Sequence, residues 1–237
     1  MGFGNWDLGF SRITMDKNKN YLNLKKFCQS LGIDLFGVAD ISKIKNEFQI
    51  SSRILEKLDK AICLGARLSQ GILEEIEKAP TRLYFHHYRT VNTFLDQAAL
   101  KTCNYIQKKD YLALPIPASQ IIDWQSQKAH LSHKKLGYLA GLGWIGRNNL
   151  LVNKKLGSQF RLVSILTNMS LKVDKPVEKG CGDCRLCVKI CPAGAINTQP
   201  QEFDHIRCFE KLKEFQKQHL VDQYVCGICV RFCRGKP

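Results

Sequence analysis

The sequence predicts an α+β fold in two parts: an α/β-like core over residues 1–175 and a small cysteine-rich module over residues 176–237. Three observations predict it. Helical and strand-like hydrophobic patterns alternate through the first part. Residues 172–180 have little periodicity and mark a boundary. Of the eleven cysteines, eight fall beyond position 180.

The elements follow in order. Tyr21, Leu24, Phe27, Cys28 and Leu31 share one side of a basic amphipathic helix that Gly32 stops. Residues 35–39 and 61–66 are short apolar strands, and between them Ser42 caps a helix through 44–58. The longest helical pattern spans 84–108, its apolar side supplied by Tyr84, Tyr88, Val91, Phe94, Leu95, Ala98 and Ile106. Residues 111–117 carry Pro115 and Pro117, so they form an edge strand or a loop entering a site. A helix over 130–140 runs into Gly141-Leu-Gly143-Trp144-Ile-Gly146-Arg147-Asn148-Asn149, and strands follow at 150–152 and 161–167. Short helices at 186–190 and 209–220 complete the module.

The cysteines carry the chemistry. They read Cys181-x2-Cys184-x2-Cys187-x3-Cys191-Pro192, then Cys208, then Cys226-x2-Cys229-x3-Cys233. A cubane cluster needs four converging thiolates, and a tight loop with two residues between ligands presents three of them. The fourth cysteine of such a run points to a second cluster, and the proline stiffens the exit. The pattern therefore assigns Cys181, Cys184, Cys187 and Cys233 to one [4Fe-4S] cluster, and Cys191, Cys208, Cys226 and Cys229 to another. That is a ferredoxin-like module. Two four-cysteine zinc sites are the alternative, although zinc sites usually pair CxxC with CxxC. Disulfides do not suit cysteines two residues apart. Cys28, Cys63 and Cys103 stand singly among apolar residues and read as buried hydrophobes.

Composition bounds the rest. A hydrophobic fraction of 44% against 24% charged residues is that of an ordinary soluble protein. No stretch approaches the roughly 18 apolar residues of a membrane span, and residues 1–16 lack a signal-peptide pattern. The expectation is a cytoplasmic protein with no membrane partner. Of the formal charge of +15, eight bound thiolates remove eight and two oxidised cluster cores return four, leaving +11. Such a field attracts RNA, an anionic cofactor or an acidic electron donor, and its sign does not choose among them. The oligomeric state is not written in the residues.

Gly141, Gly143 and Gly146 satisfy GxGxxG. The dinucleotide fingerprint, however, needs a preceding strand and a following helix, and here a helix precedes and strands follow. The glycines instead allow close backbone approach to another element or to a flat cofactor, for which Trp144 offers an apolar face. Arg147 suits an anionic partner or a structural ion pair. His130 and His133, three apart, share a face if helical, whereas the adjacent His86 and His87 diverge.

Three stretches resemble the epoxyqueuosine reductase family and related cobalamin-dependent iron-sulfur reductases: Leu31-Gly32-Ile33-Asp34-Leu35-Phe36-Gly37-Val38-Ala39, Ala140 through Asn149, and the cysteine region from Cys181. The resemblance implies a corrinoid-binding core joined to a two-cluster module. It implies a reductase in which electrons from an external low-potential donor pass through two [4Fe-4S] clusters to a corrinoid and then to substrate, in the best-known branch an epoxide on a tRNA wobble base. It also implies cofactor-binding roles for Gly141, Gly143, Trp144, Gly146, Arg147 and Asn148. The chain departs from the pattern twice. Where that branch carries an acidic proton donor, it has Leu131-Ser132-His133-Lys134, and it ends four residues after Cys233 without a helical-repeat extension. His133 and His130 are then the candidate proton donors, cobalt ligands or phosphate contacts, with Asp123 as the nearest upstream carboxylate. An electron-transfer or maturation accessory without corrinoid is the competing reading. An RNA-binding module with structural clusters is a third.

Overall fold

The computed structural model describes residues 17–123 and 127–235; the first sixteen residues, read above for a targeting signal, lie outside them. Helix α1 (Lys17–Ser30) leads into strand β1 (Leu35–Asp40). A single 3-10 turn and the one-turn helix α2 (Ser52–Leu55) precede strand β2 (Lys60–Arg67). Next come α3 (Gln70–Glu74), the long α4 (Arg82–Gln107) and β3 (Ala113–Ile116). The order continues with α5 (His133–Leu139), the short strands β4 (Trp144–Ile145) and β5 (Leu151–Val152), and β6 (Phe160–Thr167). Three helices complete it: α6 (Leu186–Ile190), α7 (His205–Lys217) and α8 (Ile228–Phe232).

Four strands form one sheet in the order β1-β2-β6-β3, and every pair is antiparallel. This makes the core α+β rather than α/β. The strands alternate as a sheet buried on both faces requires. Ile62, Leu64, Ala66, Val163 and Ile165 face α1 and α4, while Ala61, Cys63 and Leu166 face Leu136, Ala140 and Leu151. β3 lies at the edge, where the proline that cannot donate a ladder bond is tolerated.

The two N-terminal stretches singled out by resemblance meet in space. A Cβ on Gly37 of β1 would overlap the carbonyl oxygen of Ala140, at the start of the glycine-tryptophan turn. Asp174, in the segment leading to the cysteines, accepts from the Val38 amide and the Tyr21 hydroxyl, both at 2.9 Å. Phe215, Val221, Val225 and Ile228 join the same hydrophobic cluster as α4 and the sheet. The cysteine-rich part therefore rests directly on the core.

Two helical expectations need correcting. Residues 44–58 do not form one helix. Asp40, not a capping Ser42, takes the Ser42 amide at 2.8 Å, and the Gln49 amide bonds His130 O, which breaks an i to i−4 ladder. Nor is residue 130 helical. Ser132 is the N-cap of α5, its hydroxyl accepting from Lys135 N, so His130 precedes the helix.

Candidate functional site

The eight cysteines of the module separate into two sets. Burial pushes the Cys187 thiol up to about 11, and Cys233, Cys181 and Cys184 lie close enough to push it further. Burial likewise lifts Cys226 to about 12, with Cys208 and Cys191 contributing, and Cys229 is raised by burial with Cys226, Cys208 and Cys191 beside it. The nearest thiols of each cysteine fall mainly within its own set, although Cys187 also bears on Cys229. Seven of the eight line two cavities. One of about 260 Å³ is lined by Cys181, Cys184, Cys233, Trp144 and Phe232. The other, about 280 Å³, is lined by Cys191, Cys208, Cys226, Cys229, Pro192 and Asn149. Among the described residues no three side chains converge as ligands of a single metal ion. A [4Fe-4S] cubane has four irons at alternate corners, each taking one thiolate from outside, so its ligands stand around it and not about a single ion.

The glycine-tryptophan turn serves the first set. Trp144 is only 3% exposed, so its face is not open to a flat cofactor as the sequence suggested. Its indole N–H points at Cys181 Sγ, 3.5 Å away. Arg147 is in no ion pair among the described residues and donates to three backbone carbonyls, those of Thr198 (2.6 Å), Cys184 (2.9 Å) and Gly182 (2.8 Å). Five donors in a rigid fork make arginine the residue for such a clamp. Asn148 Nδ2 donates to Ser158 Oγ at 3.2 Å, and Ser158 in turn bonds Cys233. Gly146 lets the turn approach Cys181 Sγ, Gly141 passes close to the Lys175 carbonyl, and Gly143 passes close to that of Val152. The motif is a cradle for the first cysteine loop.

The three candidate proton donors do not converge. Asp123 sits in a loop, bridged to Lys128. His130 holds two loops together, its Nδ1 against Gln49 O at 3.0 Å and its amide donating to Gln120 Oε1 at 2.6 Å. Only His133 lines a cavity, one of about 230 Å³. Its Nε2 lies 2.8 Å from Pro117 O, so this nitrogen carries the hydrogen and Nδ1 accepts from Ser164 Oγ at 2.9 Å. Burial, aided by the charge of Arg161, pulls its pKa down to about 4. Burial thus works against the imidazolium form that a histidine acid would need.

Two residues that sequence reasoning passed over do reach the cavities. Lys134 Nζ donates to Asn149 O (2.9 Å) and Oδ1 (2.7 Å), and the side chain lines both the second cysteine cavity and the His133 cavity. Burial lowers its pKa to about 8. Arg161 lines the His133 cavity from β6. A cation inside the apolar run Phe160 to Thr167 was the signal that could have found it. A surface groove of about 510 Å³ between Tyr88, Ile121, Phe209, Leu212 and Tyr224 adjoins the second cysteine cavity, with Leu212 common to both.

The fold is shared with known redox enzymes. A catabolic reductive dehalogenase bound to 3-bromo-4-hydroxybenzoic acid superposes with a TM-score of 0.74 over 92% of this chain and 32% of its own, at 17% identity. Epoxyqueuosine reductase from Streptococcus thermophilus superposes with a TM-score of 0.62 over 91% of this chain and 67% of its own, at 19% identity. Another epoxyqueuosine reductase structure, carrying a tRNA stem loop, gives 0.62 at 18% identity over 90% of this chain and 64% of its own. No family model matches the sequence. In sequence the chain is similar to epoxyqueuosine reductases. It is 27% identical to that of Cyclobacterium marinum over 89% of its own length and 77% of the relative's. Against the Escherichia coli enzyme it is 44% identical over 84 residues, which are 35% of this chain and 22% of that one. The chain thus spans about a fifth of the length of that relative.

Proposed function

We propose that this chain is an iron-sulfur reductase that moves single electrons through two [4Fe-4S] clusters to an acceptor held between core and module. The observation that carries the reading is that three cysteines of the first set and all four of the second line two separate cavities, in a chain similar in sequence to epoxyqueuosine reductases. Cys181, Cys184, Cys187 and Cys233 hold one cluster; Cys191, Cys208, Cys226 and Cys229 hold the other. When bound, the clusters supply one-electron transfer and a corrinoid supplies a strongly reducing cobalt centre.

The chain's own residues do the rest. Trp144 donates to a ligand sulfur, Arg147 fixes the ligand loop and Ser158 supports Cys233. These outer contacts set ligand orientation and cluster potential. The groove fits a corrin ring: its volume falls in the roughly 300–1,000 Å³ range of cofactor sites, Phe209, Leu212 and Tyr224 provide apolar walls, and Gln127, Gln216 and Gln223 face an amide-fringed rim. Its lining includes no histidine or cysteine to ligate cobalt. The +15 charge and the tRNA-bound neighbour support a tRNA substrate and an acidic low-potential donor.

The test is anoxic purification, iron and cobalt analysis, and titration with cobalamin. The expected result is a brown protein whose cobalamin spectrum shifts on binding. Absence of any shift with both clusters present overturns the corrinoid part and leaves the accessory reading in its place.

A further inference from the structure

The cavity beside His133 has an unusual charge balance. Arg161 and Lys134 both line it, together with Ser158 and apolar walls from Leu68, Phe160 and Val230. No carboxylate lines it, and none of the ion pairs among the described residues involves either cation. Arg161 is fixed: Nε donates to Asn92 Oδ1 and Nη2 to the Tyr88 hydroxyl, both at 3.0 Å, and the guanidinium lies over the Tyr88 ring at 4.3 Å. Its Nη1 makes no hydrogen bond among the described residues. No side-chain nitrogen or oxygen there is both buried and unsatisfied, so Nη1 opens onto accessible space. Lys134 uses two of its three donors on Asn149.

We propose that this cavity binds a small organic carboxylate, its anionic group between Arg161 Nη1 and Lys134 Nζ and its apolar body against Leu68, Phe160 and Val230. A pre-positioned guanidinium with an unused edge suits a planar oxyanion. At about 230 Å³, the cavity is below the roughly 300 Å³ at which drug-sized ligand pockets begin. It admits a compact acid and excludes a nucleotide. Lys134 and Leu150 are walls of both this cavity and that of Cys191, Cys208, Cys226 and Cys229, so the ligand sits beside the second cysteine set. That the carboxylate binds does not rest on the reductase reading.

The test is calorimetric titration of the anoxic full chain with acetate, butyrate and benzoate, each against its neutral amide, and with inorganic phosphate. At least one carboxylate should bind ten-fold or more tightly than its amide and than phosphate. Arg161→Gln should lose that preference at least ten-fold, and Lys78→Gln on the exposed surface should keep it. The comparison of acid with amide uses the unaltered protein, so it stands even if Arg161→Gln misfolds. Equal binding of acid and amide, no binding of any acid, tighter phosphate binding, or a preference retained in a folded Arg161→Gln protein overturns the proposal. Iron content is measured on the same samples. A protein with eight irons that ignores every carboxylate sinks this inference alone, whereas an iron-free protein that binds one sinks the reductase reading alone.

Discussion

At the scale of single residues, the proposed ligands rest on spacing and several of their neighbours were misjudged. Cysteine spacing is set by the geometry of a cluster, so the proposed assignment of eight residues to two sets was legible without coordinates. The roles of Trp144, Arg147 and Asn148 were not, because a hydrogen bond to Cys181 Sγ or to the Gly182 carbonyl links positions 35 or more residues apart. Trp144→Phe removes one N–H from a ligand sulfur. The potential of the cluster on that set should fall, on the order of tens of millivolts, as read by an EPR-monitored redox titration; an unchanged potential means the indole does not touch the cluster's sulfur. His133 gives a second prediction. Its folded pKa of about 4 lies below the usual value of 6.5. The unfolded chain therefore binds the extra proton first, and the native state loses stability as pH falls from about 6.5 toward 4. Nitrogen NMR at pH 6 should find His133 neutral with hydrogen on Nε2, whereas an imidazolium signal there would falsify the closed hydrogen-bond arrangement.

At the scale of elements, the long periodic segment of α4 and the short helix at 186–190 were readable, whereas other short helices were not. α4 was expected over 84–108 and spans Arg82–Gln107. Residues 44–58 carry enough apolar side chains for a helix, yet the bond from the Gln49 amide to His130 O divides them. α3 and α8, five residues each, leave too few turns to show a period. The approach of the β5–β6 turn to the C-terminal cysteine is testable. Gly157 has φ +60, and a Cβ there would overlap the Cys233 carbonyl. Gly157→Ala should cost more than about 1–2 kcal/mol from the left-handed backbone alone and should loosen the first cluster, seen as faster bleaching in air. A variant that melts and bleaches like the parent would show that the turn does not bear on Cys233.

At the scale of the whole molecule, one hydrophobic cluster runs from α1 through the sheet to Phe215 and Ile228, tying the cysteine-rich part to the core. The sequence boundary near residue 175 marks a change in composition; packing continues across it. No helix among the described residues is long and apolar enough to cross a membrane. The arrangement places the second cysteine set beside both the groove and the His133 cavity, and the first set behind the glycine-tryptophan turn. On the proposed reading, electrons pass from one cysteine set to the other and on to whatever binds beside the second. The most direct test is Mössbauer spectroscopy with iron quantification on the anoxic protein and on Cys233→Ser and Cys208→Ser. The account predicts two [4Fe-4S] signals in the parent, with Cys233→Ser perturbing one and Cys208→Ser the other. Zinc in place of iron, a single cluster, or both substitutions striking the same signal would contradict it.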